Sequence, residues 1–247
     1  MPMPMLKQAV VVPRWLLARE RRWLLFLALG LAALGTFLEI AEELFEDGEL
    51  LQVDQQILQV VAERRLPWLT LTFVDVTALG SLTLLGLVAA CAAITLLRLR
   101  DVRGAVQLVV AAFGAGAWTI VTKHWFARSR PDVVHRLIDV QGYSFPSGHS
   151  AGSAALYVTL ALVFGRHVRT LVSRGLLLTA TASIAALIGL SRVYLGVHYP
   201  SDVASGLAFG SGWALLLSAA FELYHVRHPV RLPDSGDRHD GQRESSG

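Results

Sequence analysis

Six uncharged, apolar runs divide this chain of 247 residues and constrain its fold more than any other feature. A helix needs roughly 17–25 apolar residues to cross the hydrocarbon core of a bilayer, which is about 30 Å thick. The two shortest runs have 16 residues, and each can borrow a turn from its neighbours. Six such runs are too many for the core of a soluble protein of this length. We therefore predict an all-α polytopic membrane protein with six transmembrane helices in one bundle, at 23–38, 76–97, 104–122, 150–165, 175–191 and 203–221.

The polar segments outside these runs define three regions. Residues 1–22 contain a basic segment, and no small-residue cleavage site follows the first run, so this run is predicted to be a retained anchor and not a signal peptide. Residues 23–222 are predicted to form the membrane domain. Residues 223–247 are polar, lack apolar periodicity and are predicted to be a disordered tail. The single cysteine, Cys91, excludes a disulfide within the chain.

Lysine and arginine are distributed unequally between the two ends of the predicted bundle. Fifteen of the 22 lie in the N-terminal segment, in the loops after the second and fourth runs, and in the C-terminal tail. Cytoplasmic loops carry the excess of these residues in membrane proteins. Both termini are therefore predicted to be cytoplasmic, and the loops after the third and fifth runs to be extracytoplasmic.

The loop after the first run holds six acidic residues within 39–49, which we interpret as a solvated face, and then an amphipathic pattern over 50–68. The apolar residues that recur at helical spacing in this pattern are Leu50, Val53, Ile57, Val60 and Val61. The pattern predicts an extracytoplasmic amphipathic helix that lies on the outer surface between the first two spans.

Three polar stretches lie beside the apolar runs: KHWFARSRP at 123–131, PSGH at 146–149 and SRVYLGVHYPSD at 191–202. The fourth and fifth runs form a hairpin, so all three stretches are predicted to meet at the extracytoplasmic end of the bundle. Ionisable residues at membrane depth are costly to bury and generally have a function. These stretches are therefore the candidate functional site.

The first two stretches offer groups suited to binding a tetrahedral anion. Lys123 and Arg130 are seven residues apart and share one face if their helix continues to Pro131, which would end it. Ser147 is placed to cap the next helix, and Gly148 lets backbone amides approach an anion at the helix N-terminus.

The third stretch adds a cation, Arg192, and a histidine with a carboxylate partner. His198 and Asp202 are four residues apart, a spacing at which the carboxylate can hold one imidazole nitrogen and leave the other free to attack. His149 supplies a second imidazole at the start of the fourth run. Two histidines beside cations and free amides suit phosphoryl transfer, one as the nucleophile and one as the acid for the leaving oxygen.

The three stretches resemble the signature motifs of the type 2 phosphatidic acid phosphatase family, which also contains vanadium haloperoxidases and bacterial acid phosphatases. All eleven fixed positions of the family pattern are matched in order. The resemblance spans at least residues 70–222, and VDQQIL at 53–58 is similar to a segment that many bacterial members carry before their second span. It implies a protein of the bacterial plasma or inner membrane with its active site on the extracytoplasmic face.

The resemblance also implies a role for each matched residue. His198 would attack phosphorus and form a phosphohistidine, Asp202 would orient His198, and His149 would protonate the leaving group. No metal and no cofactor are implied. The residues implied to bind the phosphate are Lys123, Arg130, Ser147, Gly148 and Arg192.

The leading hypothesis is an integral membrane phosphatase or diphosphatase whose substrate is a lipid of the phosphatidate, phosphatidylglycerophosphate or polyprenyl diphosphate class. A lipid phosphotransferase that uses the same site and a non-catalytic phosphate-binding membrane protein are alternatives. A metal-dependent hydrolase with His149, His198 and Asp202 as ligands is another. A serine hydrolase built on Ser147 is disfavoured because PSGH lacks the glycine frame of a nucleophile elbow.

The sequence also restricts the partners of the protein. No basic cluster is interleaved with aromatic residues, so nucleic acid is not expected to bind. Arg128 and Arg136 are candidate contacts of the substrate headgroup or of anionic lipid. Asp75, just before the second run, could cap a helix, be a buried partner or have no role, and the sequence does not choose among these. The identity of the lipid and the oligomeric state are left open.

Overall fold

The computed structural model describes residues 21–45 and 48–227. This part of the chain is all α-helical and contains no β-strand, which confirms the predicted fold class. In chain order the helices are α1 (Arg22–Glu43), α2 (Glu49–Glu63), α3 (Pro67–Ala78), α4 (Leu82–Arg98), α5 (Val102–Phe126), α6 (Gly148–Phe164), α7 (Leu171–Tyr194) and α8 (Pro200–Arg227).

Several of these helices have the length and composition of membrane spans. Four of them, α1, α5, α7 and α8, are long and apolar enough to cross a bilayer. Helices α3 and α4 pass the same test only as a pair, and α6 is apolar but has 17 residues. The protein is therefore an integral membrane protein, while a count of six crossings stays a prediction.

The second predicted span, 76–97, is not a single helix. Helices α3 and α4 are separated by residues 79–81 and bent by 52° relative to each other. The break follows from capping, because the Ser81 hydroxyl accepts a hydrogen bond from the Leu84 amide at 3.3 Å and so begins a new helix. Asp75 lies in α3, where its side chain is exposed, so it is not a buried partner.

The predicted tail begins too early. Residues 223–227 continue α8, and its last turn is held against α5 by a contact between His225 Nδ1 and Arg103 Nη1. The remainder of the predicted tail, 228–247, lies outside the described residues, as do residues 1–20 of the predicted N-terminal segment.

Helices α6 and α8 run parallel in close contact. A Cβ atom at Gly206 would lie 2.6 Å from the carbonyl oxygen of Ser147, and one at Gly210 would lie 2.2 Å from that of Ala151. Small residues permit such a backbone approach between helices in a membrane. The contact places the first turns of α6 and α8 side by side.

The other long helices run antiparallel to this pair. In α1, Gly30 lies against Leu216 of α8, and Leu34 lies against Gly212, so the two helices run in opposite directions. Helix α7 follows α6 after the short connection 165–170 and returns along it. As a result, the C-terminal ends of α1, α5 and α7 lie at the same end of the bundle as the N-terminal ends of α6 and α8.

Helix α2 packs one face onto the bundle and leaves another exposed. Val53, Ile57 and Val60 are exposed, whereas Asp54 and Leu58 are buried. The exposed apolar residues belong to the predicted amphipathic pattern. The buried carboxylate was not expected, since apolar periodicity does not reveal it. The position of α2 on the extracytoplasmic surface stays a prediction.

Replacing Gly210 with alanine is expected to destabilise the protein, because the new Cβ would overlap the Ala151 carbonyl oxygen. Overpacking of this kind typically costs about 1–3 kcal/mol. The measurement is the thermal unfolding midpoint of the detergent-purified protein. Gly86→Ala is the matched control, because Gly86 lies in α4 with no atom within 4 Å of its Cβ position. If Gly210→Ala unfolds at the same temperature as the wild type, the α6–α8 contact is not as close as described.

Candidate active site

The three polar stretches meet where α5 and α7 end and α6 and α8 begin. A backbone hydrogen bond connects two of them directly, since the Ser147 amide donates to the Asp202 carbonyl at 2.9 Å. A second bond, from the Ser144 amide to the Arg128 carbonyl at 2.8 Å, ties the loop before α6 to the loop after α5. The motif residues are therefore brought to one place.

His198 is 2% exposed and lies in the turn between α7 and α8. Its Nε2 is 3.1 Å from Nη1 of Arg130. A guanidinium group can only donate hydrogen bonds, so Nε2 must be the unprotonated nitrogen and Nδ1 carries the proton. Nδ1 faces Ser144 Oγ at 3.3 Å and Asp202 Oδ2 at 3.4 Å. The ring thus presents a lone pair toward Arg130.

The Asp202 carboxylate is completely buried and uses both oxygens. Oδ2 accepts hydrogen bonds from the Ser144 hydroxyl and, at 2.9 Å, from the Tyr199 amide. Tyr199 precedes Pro200, the first residue of α8, so this second bond is the reciprocal half of a capping box. Asp202 therefore caps the start of α8 and also contacts His198.

Arg130 reaches the site from a loop and not from a helix. Helix α5 ends at Phe126, and Ala127 has φ of 45°, in the left-handed region that closes many helices. The prediction that Lys123 and Arg130 share one helical face as far as Pro131 is therefore wrong.

Backbone carbonyl groups position Arg130 instead. Its Nε donates to Gly142 O at 2.9 Å, Nη1 to Val197 O at 2.9 Å and Nη2 to Gln141 O at 3.1 Å. Burial lowers the pKa of Arg130, and the negative charge of Asp202 opposes that effect. These three bonds place the side chain beside His198.

Two further cations come from helix ends. Lys123, in the last turn of α5, donates to the Ser144 carbonyl at 3.3 Å. Arg192, in the last turn of α7, is 2% exposed and donates from Nη1 to Thr77 Oγ1 at 2.8 Å. The Arg192 Nε is buried and has no hydrogen-bond partner within residues 21–45 and 48–227. A buried donor without an acceptor is costly, so an anion that accepted from it would be bound favourably.

The N-terminus of α6 lies beside these cations. Ser147 caps the helix as predicted, because its hydroxyl accepts from the Ser150 amide at 3.4 Å. A Cβ at Gly148 would lie 3.9 Å from Cε of Lys123, which places the free amides of the first turn near that cation. His149 is partly buried on the same turn. The groups that interact electrostatically with it are Arg192, His198, Arg130 and Lys123.

Sequence reasoning missed how Asp54, Arg128 and Ser144 contribute. Arg128 was a candidate headgroup contact, but its guanidinium is occupied by Asp202 Oδ1 at 2.7 Å and by Asp54 Oδ2 at 2.8 Å. These carboxylates raise the pKa of Arg128 although burial alone would lower it. Arg136, the other candidate, donates from Nε to a carbonyl of its own loop at 2.8 Å. Two signals were available for Asp54, a carboxylate within the apolar pattern of α2 and the resemblance of VDQQIL at 53–58 to a segment of the family.

The described residues offer no evident metal site. Within 21–45 and 48–227, no three His, Cys, Asp or Glu side chains are arranged to hold an ion. His149, His198 and Asp202 share one end of the bundle, but they do not form the ligand set that the metal-dependent alternative requires.

The sequence and the fold are similar to those of known phosphatases. The family model for the PAP2 superfamily matches residues 104–224. Phosphatidylglycerophosphatase B of Bacillus subtilis is 34% identical over 160 residues, covering 64% of this chain and 77% of that protein. Lipid A 1-phosphatase of Rhizobium etli is 37% identical over 114 residues, covering 42% and 44%. The crystal structure of a transmembrane PAP2-type phosphatidylglycerolphosphate phosphatase from Bacillus subtilis has a TM-score of 0.74 at 26% identity, covering 82% of this chain and 98% of that chain.

His198 is expected to remain neutral well below the pH at which a free histidine is protonated. Burial lowers its pKa to about 4, and Arg130 and Arg192 act in the same direction, while Asp202 opposes them. Protonation therefore requires a lower pH. NMR of protein labelled with ¹⁵N-histidine should show an Nδ1-protonated, neutral ring that does not titrate between about pH 8 and 5. His198→Ala assigns the signal, and a ring that titrates near pH 6.5 would contradict the described environment.

Proposed function

Because the chain belongs to the PAP2 superfamily, we propose that it is a lipid phosphatase that removes a phosphate group from a lipid phosphomonoester or diphosphate within the membrane. The observation that carries this proposal is the set of three cations, Lys123, Arg130 and Arg192, that all interact electrostatically with His149, with Arg130 also 3.1 Å from Nε2 of His198. Relatives of this chain are named as phosphatases of lipids, and the names specify different lipids. We therefore propose the substrate class and leave the headgroup to experiment.

The cations and the start of α6 would bind the phosphate. Arg192 has a buried Nε with no acceptor among the described residues, and the amides of Gly148 and His149 lie at the positive end of the helix dipole. Lys123 and Arg130 would bind further phosphate oxygens, and Ser147 would hold the helix start in place. Donors fixed before the substrate arrives stabilise the charge that develops in the transition state.

The first chemical step would transfer the phosphoryl group to the protein. Nε2 of His198 attacks phosphorus, and Arg130 must move from this lone pair to a phosphate oxygen. A P–N bond forms while the P–O bond to the lipid breaks, and His149 donates a proton to the leaving oxygen. Asp202 stabilises the positive charge that His198 gains when it carries the phosphoryl group.

The second step would release phosphate. His149, now unprotonated, removes a proton from a water molecule that attacks phosphorus. The P–N bond breaks, His198 returns to its neutral form, and orthophosphate leaves. No step of this proposed cycle needs a metal or a cofactor, because cationic side chains and backbone amides supply the charge stabilisation.

We also propose an orientation in the membrane. The excess of Lys and Arg at the opposite end of the bundle supports an extracytoplasmic active site, cytoplasmic termini and six crossings, with α3 and α4 together forming one of them. The exposed apolar face of α2, formed by Val53, Ile57 and Val60, would lie against the outer leaflet near the site.

Detergent-purified protein is expected to release phosphate from one or more members of a panel of phosphatidate, phosphatidylglycerophosphate and polyprenyl diphosphate. His198→Ala should lose more than the 10²–10³-fold that typically follows removal of one stabilising donor, since it removes the nucleophile. Malachite-green detection of free phosphate measures the activity of the wild type and of the variant. His135→Ala is the matched control, because His135 is an exposed histidine of the loop before α6.

Three outcomes of this panel would contradict the proposal. Binding of inorganic phosphate, with no phosphate released from any lipid of the panel, would favour a non-catalytic binding protein. Radiolabel that moves from substrate to an added acceptor lipid, and not to free phosphate, would show a phosphotransferase. Activity that a chelator abolishes and a divalent ion restores would show metal dependence.

The proposed roles of the two histidines predict a burst in His149→Ala. An aryl phosphate such as p-nitrophenyl phosphate has a good leaving group, so its attack by His198 needs little acid assistance. Hydrolysis of the phosphohistidine still needs His149 as a base. We expect a burst of p-nitrophenol close to one equivalent of protein, measured by stopped flow, with phosphate bound in an acid-labile, alkali-stable form, measured after an alkaline quench. Slow linear turnover without bound phosphate would contradict these roles.

A further inference from the structure

We propose that Asp54 of α2 and Arg128 form a positioning pair for this site. Asp54 holds the Arg128 guanidinium against Asp202, and Asp202 holds His198 in the orientation needed for attack. This inference rests on the proposed function, and it extends the set of residues on which that function depends to α2, a helix that contains none of the three motifs.

Arg128 determines the plane of the Asp202 carboxylate. Oδ2 of Asp202 faces His198 Nδ1 and accepts hydrogen bonds from the Ser144 hydroxyl and the Tyr199 amide. Oδ1 accepts a hydrogen bond from Arg128 Nη1 at 2.7 Å. A planar guanidinium has donors in fixed directions, so it restrains its partner more than a lysine ammonium would. Rotation of the carboxylate would break the Arg128 bond and displace Oδ2 from His198.

Asp54 determines the position of Arg128. Its carboxylate is 1% exposed and accepts from Arg128 Nη2 at 2.8 Å. It also accepts from the Ser201 amide at 3.0 Å and from the Ser201 hydroxyl, in the first turn of α8. Arg128 is further held by the Tyr199 ring, 4.2 Å from its Cζ. One carboxylate of α2 therefore fixes both Arg128 and the helix start that carries Asp202.

The pair also sets the charge that Asp202 presents to His198. One guanidinium shared between two buried carboxylates leaves a net charge of −1 on Asp54, Arg128 and Asp202 together. Without Asp54, Arg128 would neutralise Asp202, and a positively charged phosphohistidine would lose stabilisation. Neither Asp54 nor Arg128 bonds to Lys123 or to the other phosphate-binding cations, so phosphate binding should not depend on the pair.

The first test compares Asp54→Asn with Asp75→Asn, an exposed aspartate of the neighbouring helix α3. Asp54→Asn is expected to lower kcat by about 10²-fold, because small displacements of a catalytic group have effects of this size. KM for the lipid and the inhibition constant of inorganic phosphate should stay unchanged. Asp75→Asn should behave as the wild type in all three measurements. Arg128→Lys keeps the charge but loses the planar fork, so its kcat should fall with KM unchanged.

The second test is the acid limb of the kcat/KM profile, corrected for the ionisation of the substrate. Asp54→Asn should move this limb to lower pH, because a more fully neutralised Asp202 stabilises the imidazolium less. Arg128→Gln should move it to higher pH for the opposite reason, and the double variant should restore it. The charged and titratable groups that face His198 are Asp202 from α8, Arg130 from the loop after α5, Arg192 from α7 and His149 from α6.

A purely structural role for the pair predicts a different pattern. It would lower the thermal midpoint of the variants but leave kcat per folded molecule and the acid limb unchanged, and that result would overturn the inference. Shifts of the limb in the same direction in both single variants would also overturn it. If a single variant does not fold, the acid limb of the double variant and the kcat of Arg128→Lys still distinguish a positioning role from a structural one. An inactive wild type, or an active His198→Ala, would instead reject the proposed function itself.

Discussion

The parallel contact between α6 and α8 is the constraint on which the rest of the site depends. Gly206 and Gly210 allow the two backbones to approach closely, and the Ser147 amide then donates to the Asp202 carbonyl at 2.9 Å. Two helix N-termini, each with a positive dipole end, thereby lie next to each other. Such a pair is unfavourable in isolation and favourable around negative charge.

At the start of α8, two carboxylates supply that negative charge, whereas the start of α6 has none. Asp202 and Asp54 are buried carboxylates at the start of α8, and they satisfy amides of its first residues while they pair with Arg128. The start of α6 has no acidic residue in its first turn and lies beside Lys123. A partly buried cation and an uncompensated helix start are costly in a folded protein and would be favourable beside the phosphate of the proposed substrate. Removing one partner of a buried ion pair such as Asp54–Arg128 typically costs about 3–5 kcal/mol, so the two pairs of Arg128 are also important for the stability of the fold.

Much of this arrangement was predictable from local sequence. Apolar runs indicated the main helices, and Ser147 marked the start of α6 correctly. The failures have two causes: hydropathy and motif spacing do not show where a helix is capped, and local patterns do not register polar bonds made over long distances. Ser81 divides a continuous apolar run by capping a new helix, and Ala127 closes α5 before Pro131 can. Arg128 has its partners 74 residues away in both directions, which no local pattern indicates.

The sequence by itself determined that the protein lies in a membrane, its helical class and the residue types gathered at the candidate site, because hydropathy and motif spacing are properties of short segments. Only the tertiary structure decided that Arg128 serves two carboxylates, that Asp54 of α2 joins the site and that Arg130 arrives from a loop. Each of these depends on which side chains meet when α2, the loop after α5 and the start of α8 pack together. A buried charge takes the partner that the packing brings within hydrogen-bond distance, and that partner is not encoded at any fixed spacing along the chain.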